Sequence, residues 1–180
     1  MQWFKIPSKV YLCLPSFPHQ ENEIEVFSVS SLKINPCNGC NRCFVTEGNK
    51  CVQKDDMELI YDALKTADTL VISSPVYFYG ISARLKGIID RFHTPLRNTF
   101  GVKRLALILV GAADIPKLFD SIIMQYNLVR DFFHLEDAGM VLVRNAKDKG
   151  DVKKGDALDK ARALGKSLSA ANQNLVGETC

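Results

Sequence analysis

The sequence predicts an α/β fold, a three-layer sandwich with a mostly parallel sheet between helices. Three observations lead there. Short, continuously apolar runs, TLVIS (69–73) and RLALILV (104–110), read as strands buried on both faces. Segments with apolar residues at helical spacing alternate with them. Strand and helix in strict alternation require crossovers, which place helices over both faces of a parallel sheet.

In order, Ile24–Val29 (IEVFSV) reads as a short strand. Asp55 or Asp56 can cap a helix bearing Met57, Ile60, Tyr61 and Leu64 at i, i+3, i+4 and i+7. TLVIS follows, then the loop SPVYFYG, then a helix capped by Ser82 with Leu85, Ile88, Ile89 and Phe92 as its apolar stripe. RLALILV ends in a small-residue loop, Gly111-Ala112-Ala113-Asp114. The helix after Pro116 carries Leu118, Ile122, Tyr126, Val129 and Phe133. Met140–Val143 is a fourth strand, and a final helix from about Asp156 presents Leu158, Ala161, Leu164 and Leu168. The sheet thus has four strands, or five if the N-terminus contributes one. No repeat or linker divides the chain, so residues 1–180 read as one domain with a cysteine-rich insert at 36–52.

Composition bounds the function. Hydrophobic residues are 47% and charged residues 24%, as expected of a globular protein, and a net charge of +3 without a basic stripe argues against a nucleic-acid partner. No apolar run approaches the ~20 residues of a membrane span. Lys5, Pro7 and Lys9 break up the N-terminus as a signal-peptide core, so the expected location is cytoplasmic.

Four of the six cysteines, Cys37, Cys40, Cys43 and Cys51, fall within fifteen residues as C-x2-C-x2-C-x7-C. In a reducing compartment such spacing points to metal or redox chemistry. Thiolates hold iron–sulfur clusters, usually four per cluster, and Gly39 permits the tight coiling three closely spaced ligands need. Structural zinc more often pairs two distant C-x2-C knuckles, and metal-free thiols are a third reading. Cys13 reads as a small buried hydrophobe and Cys180 as a terminal residue. His19, His93 and His134 read as solvated or packing residues, and no side chain is assigned as catalytic.

SPVYFYG lies beyond the carboxyl end of a parallel strand, where open α/β sheets bind ligands. Pro75 holds the backbone extended, Tyr77, Phe78 and Tyr79 offer flat faces, and Gly80 admits close approach. INPCNGCNRC, CVQKDDM and SSPVYFYGISARLKGIIDR, in that order across residues 34–91, resemble the iron–sulfur flavoproteins and the wider NADPH-dependent FMN reductase group. The resemblance implies a flavodoxin-like fold and an oxidoreductase with FMN, a 4Fe-4S cluster on Cys37, Cys40, Cys43 and Cys51, and NAD(P)H as possible donor. Carried over by position, Pro75, Val76, Tyr77, Phe78 and Gly80 are the flavin contacts; Gly111, Ala112 and Asp114, which end the next strand, are read as a second wall of the same pocket. A soluble small-molecule or protein electron partner and a homo-oligomer are also implied. The alternatives are a cluster-free FMN or quinone reductase and a non-catalytic flavodoxin-like module.

The resemblance fails at the N-terminus. The family opens with a strand and a Ser/Gly/Asn/Thr-rich phosphate loop. If Val10–Leu14 were that strand, Pro15–Glu23 would be too short for a parallel crossover. SKVYLCLPSF therefore aligns better as a remnant of the first helix, with strand and phosphate loop absent. Ser8 and Lys9 could retain part of a phosphate contact. Weak flavin binding, with little preference for FMN over riboflavin, is the expectation.

Overall fold

A computed structural model describes residues 11–14 and 24–176. Five strands, β1 (Tyr11–Leu14), β2 (Glu25–Ser28), β3 (Thr69–Pro75), β4 (Arg104–Val110) and β5 (Glu136–Val143), form one sheet in the order β2-β1-β3-β4-β5. Four helices accompany them: α1 (Met57–Thr66), α2 (Ala83–Asp90), α3 (Asp120–Phe132) and α4 (Ala157–Val176).

The expected parallel arrangement holds for β3, β4 and β5, with Thr69–Pro75 opposite Arg104–Val110 residue by residue. β1 differs: it lies antiparallel to both β2 and β3. Residues 11–14 are therefore a strand, not a helix remnant, and the short 15–23 segment explains their direction. It is too short for the crossover a parallel neighbour requires, whereas an antiparallel pair needs only a turn.

Side-chain alternation divides the core. Leu70 and Ile72 of β3, with Leu105, Leu107 and Leu109 of β4, face a large cluster that includes Ile60 and Leu64 of α1, Leu85 and Ile88 of α2, and Ile122 and Tyr126 of α3. Val71 and Ala106 point the other way, where Leu164 and Leu168 of α4 cover them. This one-in, one-out use of wholly apolar strands is the period of two applied to a sheet covered on both sides.

The predicted apolar stripes of α1 and α2 face the core, and Ser82 accepts a hydrogen bond from the Leu85 amide as cap. Two expectations need correction. β5 begins at Glu136, four residues before the apolar run, because a bulge at Leu105/Ala106 lets Gly139, at φ 109°, pair within the ladder. Leu158 is exposed in the first turn of α4, ahead of the part that reaches the sheet.

Candidate functional site

The carboxyl ends of β3 and β4 lie side by side, with Pro75 opposite Val110 and the Val76 amide bonded to the Val110 carbonyl at 2.8 Å. The chain then turns back within two residues. Tyr77 and Gly80 exchange backbone hydrogen bonds of 2.8 and 3.0 Å, so Phe78 and Tyr79 form the tip of a tight turn. Both tip residues have positive φ, 47° and 65°. This pattern normally takes Asn-Gly, and left-handed conformations in aromatic residues cost of order 1–3 kcal/mol each. Phe78 is nonetheless 97% exposed, while Tyr77 and Tyr79 are half exposed. Aromatic faces held outward at the expense of backbone strain do not serve the core.

Neighbouring groups hold the turn. The Ser74 hydroxyl donates to the Pro75 carbonyl at 2.8 Å and accepts from the Ser82 amide at 3.0 Å, fixing the start of α2. The Ser121 hydroxyl, from α3, donates to the Tyr79 carbonyl. Gly80 has room to spare, since a Cβ there would meet only the Tyr77 carbonyl, at an ordinary 3.6 Å. The fold itself does not demand this glycine. Tyr77→Ala combined with Gly80→Val is thus expected to weaken FMN binding about tenfold or more, ~1.4 kcal/mol, with little change in thermal midpoint. If affinity falls only in step with stability, the loop is a packing element.

Gly111 opens the loop after β4, the expected second wall. Its amide donates to the Val143 carbonyl, and a Cβ would stand 2.5 Å from Leu118 Cδ2, so the close packing of Leu118 already accounts for this glycine. Ala112 and Asp114 are exposed. Asp114 accepts a hydrogen bond from Asn145 Nδ2 at 3.1 Å, and Arg144 donates to the Ile115 and Pro116 carbonyls. The loop after β5 therefore braces the loop after β4. Arg144 and Asn145 carry no local signature, so this brace is not legible in the sequence.

The cysteines occupy a separate place. Residues 36–54 form a loop of two 3-10 turns, with positive φ at Gly39, Asn41, Gly48 and Asn49. It lies against the helices: Pro36 approaches Gly87 of α2 so closely that a Cβ there would contact it at 3.6 Å. Phe44 meets the ring of His93, which meets Phe132 of α3. No hydrogen bond, ion pair or ring contact among the described residues joins this loop to residues 75–80. All four thiols are free, Cys37 and Cys40 exposed and Cys43 and Cys51 half-buried. As donors they suit an iron–sulfur cluster: four unbridged soft ligands on one loop. Among the described residues, however, no three His, Cys, Asp or Glu side chains stand together as a metal site.

A buried ion pair closes the loop at its base. Asp55 and Arg91 side chains are 4% and 3% exposed and meet at 2.5 Å. Asp55 also accepts from the Asn35 and Met57 amides, and Arg91 donates to the Asn35 carbonyl at 3.2 Å. Burial raises the Asp55 pKa, but the Arg91 hydrogen bond and the two amides outweigh it and hold the carboxyl below its ordinary range. Burial likewise opposes the Arg91 charge, and Asp55 more than restores it. The Tyr61 hydroxyl donates to the Arg91 carbonyl at 2.8 Å. Burial pushes its phenol up to about 12; the Arg91 charge opposes the rise, and the Cys51 and Cys43 thiolates add to it. The signals for this pair were an acidic residue just ahead of a helix and an arginine within the apolar stretch IIDRF.

Residues 13–136 match the NADPH-dependent FMN reductase family. The chain belongs to that family. An iron-sulfur flavoprotein of Methanocaldococcus jannaschii is 34% identical over 162 residues, 82% of this chain and 79% of its own. An iron-sulfur flavoprotein of Methanosarcina thermophila is 33% identical over 91 residues, 51% of this chain and 44% of its own. Among solved structures, an NAD(P)H:quinone oxidoreductase from Methanothermobacter marburgensis aligns with a TM-score of 0.53 over 71% of this chain and 69% of its own, at 19% identity. That likeness shows the flavodoxin-like fold. Within the iron–sulfur flavoprotein and FMN reductase family, the chain is an FMN-dependent oxidoreductase. Among the described residues no helix is long and apolar enough to cross a membrane. Ser8, Lys9, His19 and Cys180 lie outside the described residues, as do the side chain of Cys13 and any phosphate contact ahead of β1.

Proposed function

We propose that this oxidoreductase is an iron–sulfur flavoprotein that relays electrons between FMN, a 4Fe-4S cluster and a soluble donor or acceptor, with NAD(P)H as one possible donor. The observation that carries the cluster is the loop 36–54: four free thiols on a single segment closed at its base. When bound, flavin supplies two-electron chemistry that can be passed on singly, and a cluster carries one electron at a time. The protein's part is to hold and orient. Pro75, Val76, Tyr77, Phe78 and Gly80 present a preformed edge and aromatic faces for the isoalloxazine ring, and Gly111, Ala112 and Asp114 stand as the facing wall. Cys37, Cys40, Cys43 and Cys51 are the cluster ligands, the first two exposed and the other two half-buried. Met124, Leu128 and Phe132 form an exposed apolar stripe at i, i+4, i+8 on α3, which supports a homo-oligomer. We place the protein in the cytoplasm, where the thiols stay reduced.

A second reading, a cluster-free FMN or quinone reductase, is favoured by the separation of the thiols. Anaerobic reconstitution followed by iron, sulfide and flavin assays separates the two. The relay predicts roughly four iron and four sulfide per chain beside the flavin. Flavin with neither iron nor sulfide would establish the cluster-free reductase.

A further inference from the structure

We propose, resting on the electron-transfer reading above only for the source of the ligand, that the groove between the turn after β2 and the start of α2 binds a phosphate monoester. That group is what distinguishes FMN from riboflavin and NADPH from NADH. The groove, of about 760 Å³, is lined by Ser30, Ser31, Lys33, Lys54 and Arg84 among others. Its place follows from strand direction. β1 runs antiparallel to both β2 and β3, so β2 points the same way as β3, β4 and β5. The turn after β2 therefore lies on the same edge of the sheet as the loop 75–80, the edge at which open α/β sheets take ligands. Two strand spacings, about 10 Å, separate β2 from β3. Arg84 bridges that interval. It stands in the first turn of α2, four residues after Gly80, and its guanidinium donates to the Ser30 carbonyl at 3.3 Å.

Charge selects the ligand. Among the described residues, Lys33, Lys54 and Arg84 form no ion pair. Both carboxylates on the groove are committed: Asp55 is neutralised by Arg91, and Asp56 accepts from the Lys33 amide at 2.6 Å. Three cations thus face one uncompensated carboxylate, and an excess of one sign around a concavity gathers ions of the other. A phosphate monoester brings about −1.5 to −2 charges at pH 7 and three acceptor oxygens. Arg84 matches it in shape as well, since a guanidinium fork grips two phosphate oxygens at once. The turn opposite is fixed. The Ser31 amide and hydroxyl both donate to the Ser28 carbonyl, at 3.0 and 2.8 Å, and the Ser30 and Ser28 hydroxyls pair at 2.8 Å. All three cationic side chains belong to exposed residues, so the fold has little use for their charge.

The experiment has two arms, on wild type, Arg84→Gln, Arg84→Lys, the Arg84→Gln/Lys33→Gln pair and Lys86→Gln. Lys86→Gln removes a cation of the same helix that is paired with Asp90, and so serves as the charge control. In the first arm, inorganic phosphate is titrated against the ¹⁵N-labelled chain at constant ionic strength. The amides of residues 29–35 and 82–85 are expected to shift saturably in wild type and Lys86→Gln, and not in the double variant. In the second, affinities are compared within two pairs, FMN against riboflavin on the apoprotein and NADPH against NADH on the flavin-loaded protein. One pair is expected to differ about tenfold or more, the worth of one or two charge-assisted bonds, and the pair that does names the source. That preference should fall to within about twofold in the double variant, survive in part in Arg84→Lys, and shrink with added salt. Thermal midpoints should stay together throughout. No preference in either pair, with phosphate shifts alone, would make this an adventitious anion site only and overturn the proposal. So would a preference that persists in the double variant, because the phosphate is then read elsewhere. Were wild type to bind neither flavin, the FMN reading would fall separately, and the phosphate titration would decide the groove by itself: shifts at these residues uphold it, their absence ends it.

Discussion

Arg91→Ala is expected to cost about 3–5 kcal/mol of folding stability, because it leaves the Asp55 carboxylate buried and without its countercharge. That is a large share of the ~5–15 kcal/mol by which a domain is stable, and the urea midpoint should fall accordingly. A loss below about 1 kcal/mol would mean that water replaces the guanidinium at no penalty. The same pair has a pH signature. The folded carboxyl titrates below the ordinary carboxylate value of 3.8, so its contribution is fully present above that value. It is lost as pH falls through the lower, folded value. Asp55→Asn should flatten this part of the acid unfolding curve.

The second large effect concerns Cys40. Cys40→Ser is expected to abolish retention of iron and acid-labile sulfide while leaving the far-UV circular dichroism unchanged. Cys40 is exposed and belongs to no element of the core, so the fold has no use for its thiol. A cluster that loses one thiolate of four keeps an open iron site that solvent and oxidants reach. Stoichiometric iron in the purified variant would show that Cys40 is not a ligand.

The legible parts of this fold are those whose information is local. β3 and β4 announce themselves because every residue must be apolar when both faces are covered. The α1 and α2 stripes and the Ser82 cap are likewise written in a dozen neighbouring residues. What stayed hidden is tertiary. Glu136-Asp137-Ala138-Gly139 lies ahead of the apolar run Met140–Val143, yet it extends β5 because β4 offers partners and Gly139 absorbs the bulge. The direction of β1 follows from a steric limit on the connection, and the same limit taken alone suggested a helix. At the candidate site, SPVYFYG marks the loop, but nothing in Phe78-Tyr79 announces two left-handed residues. The Asp55–Arg91 pair joins positions 36 residues apart, a distance no periodicity spans.

The sheet also contains a seam. Among the described residues, β3 and β4 share seven consecutive residue pairings, whereas β1 and β3 share two, Leu12 with Ile72 and Cys13 with Val71. The β1–β2 pair is thereby joined to the parallel slab by a short run of ladder teeth, with Phe27 of β2 packed into the main core. Unfastening it breaks few ladder bonds, exposes Phe27, and leaves the ladder from β3 to β5 whole, so the backbone ladder opens most readily along this line. Amide protons of β1 and β2 then exchange with solvent through that partial opening, while those of β4, flanked on both sides by full-length partners, wait for the whole molecule to unfold.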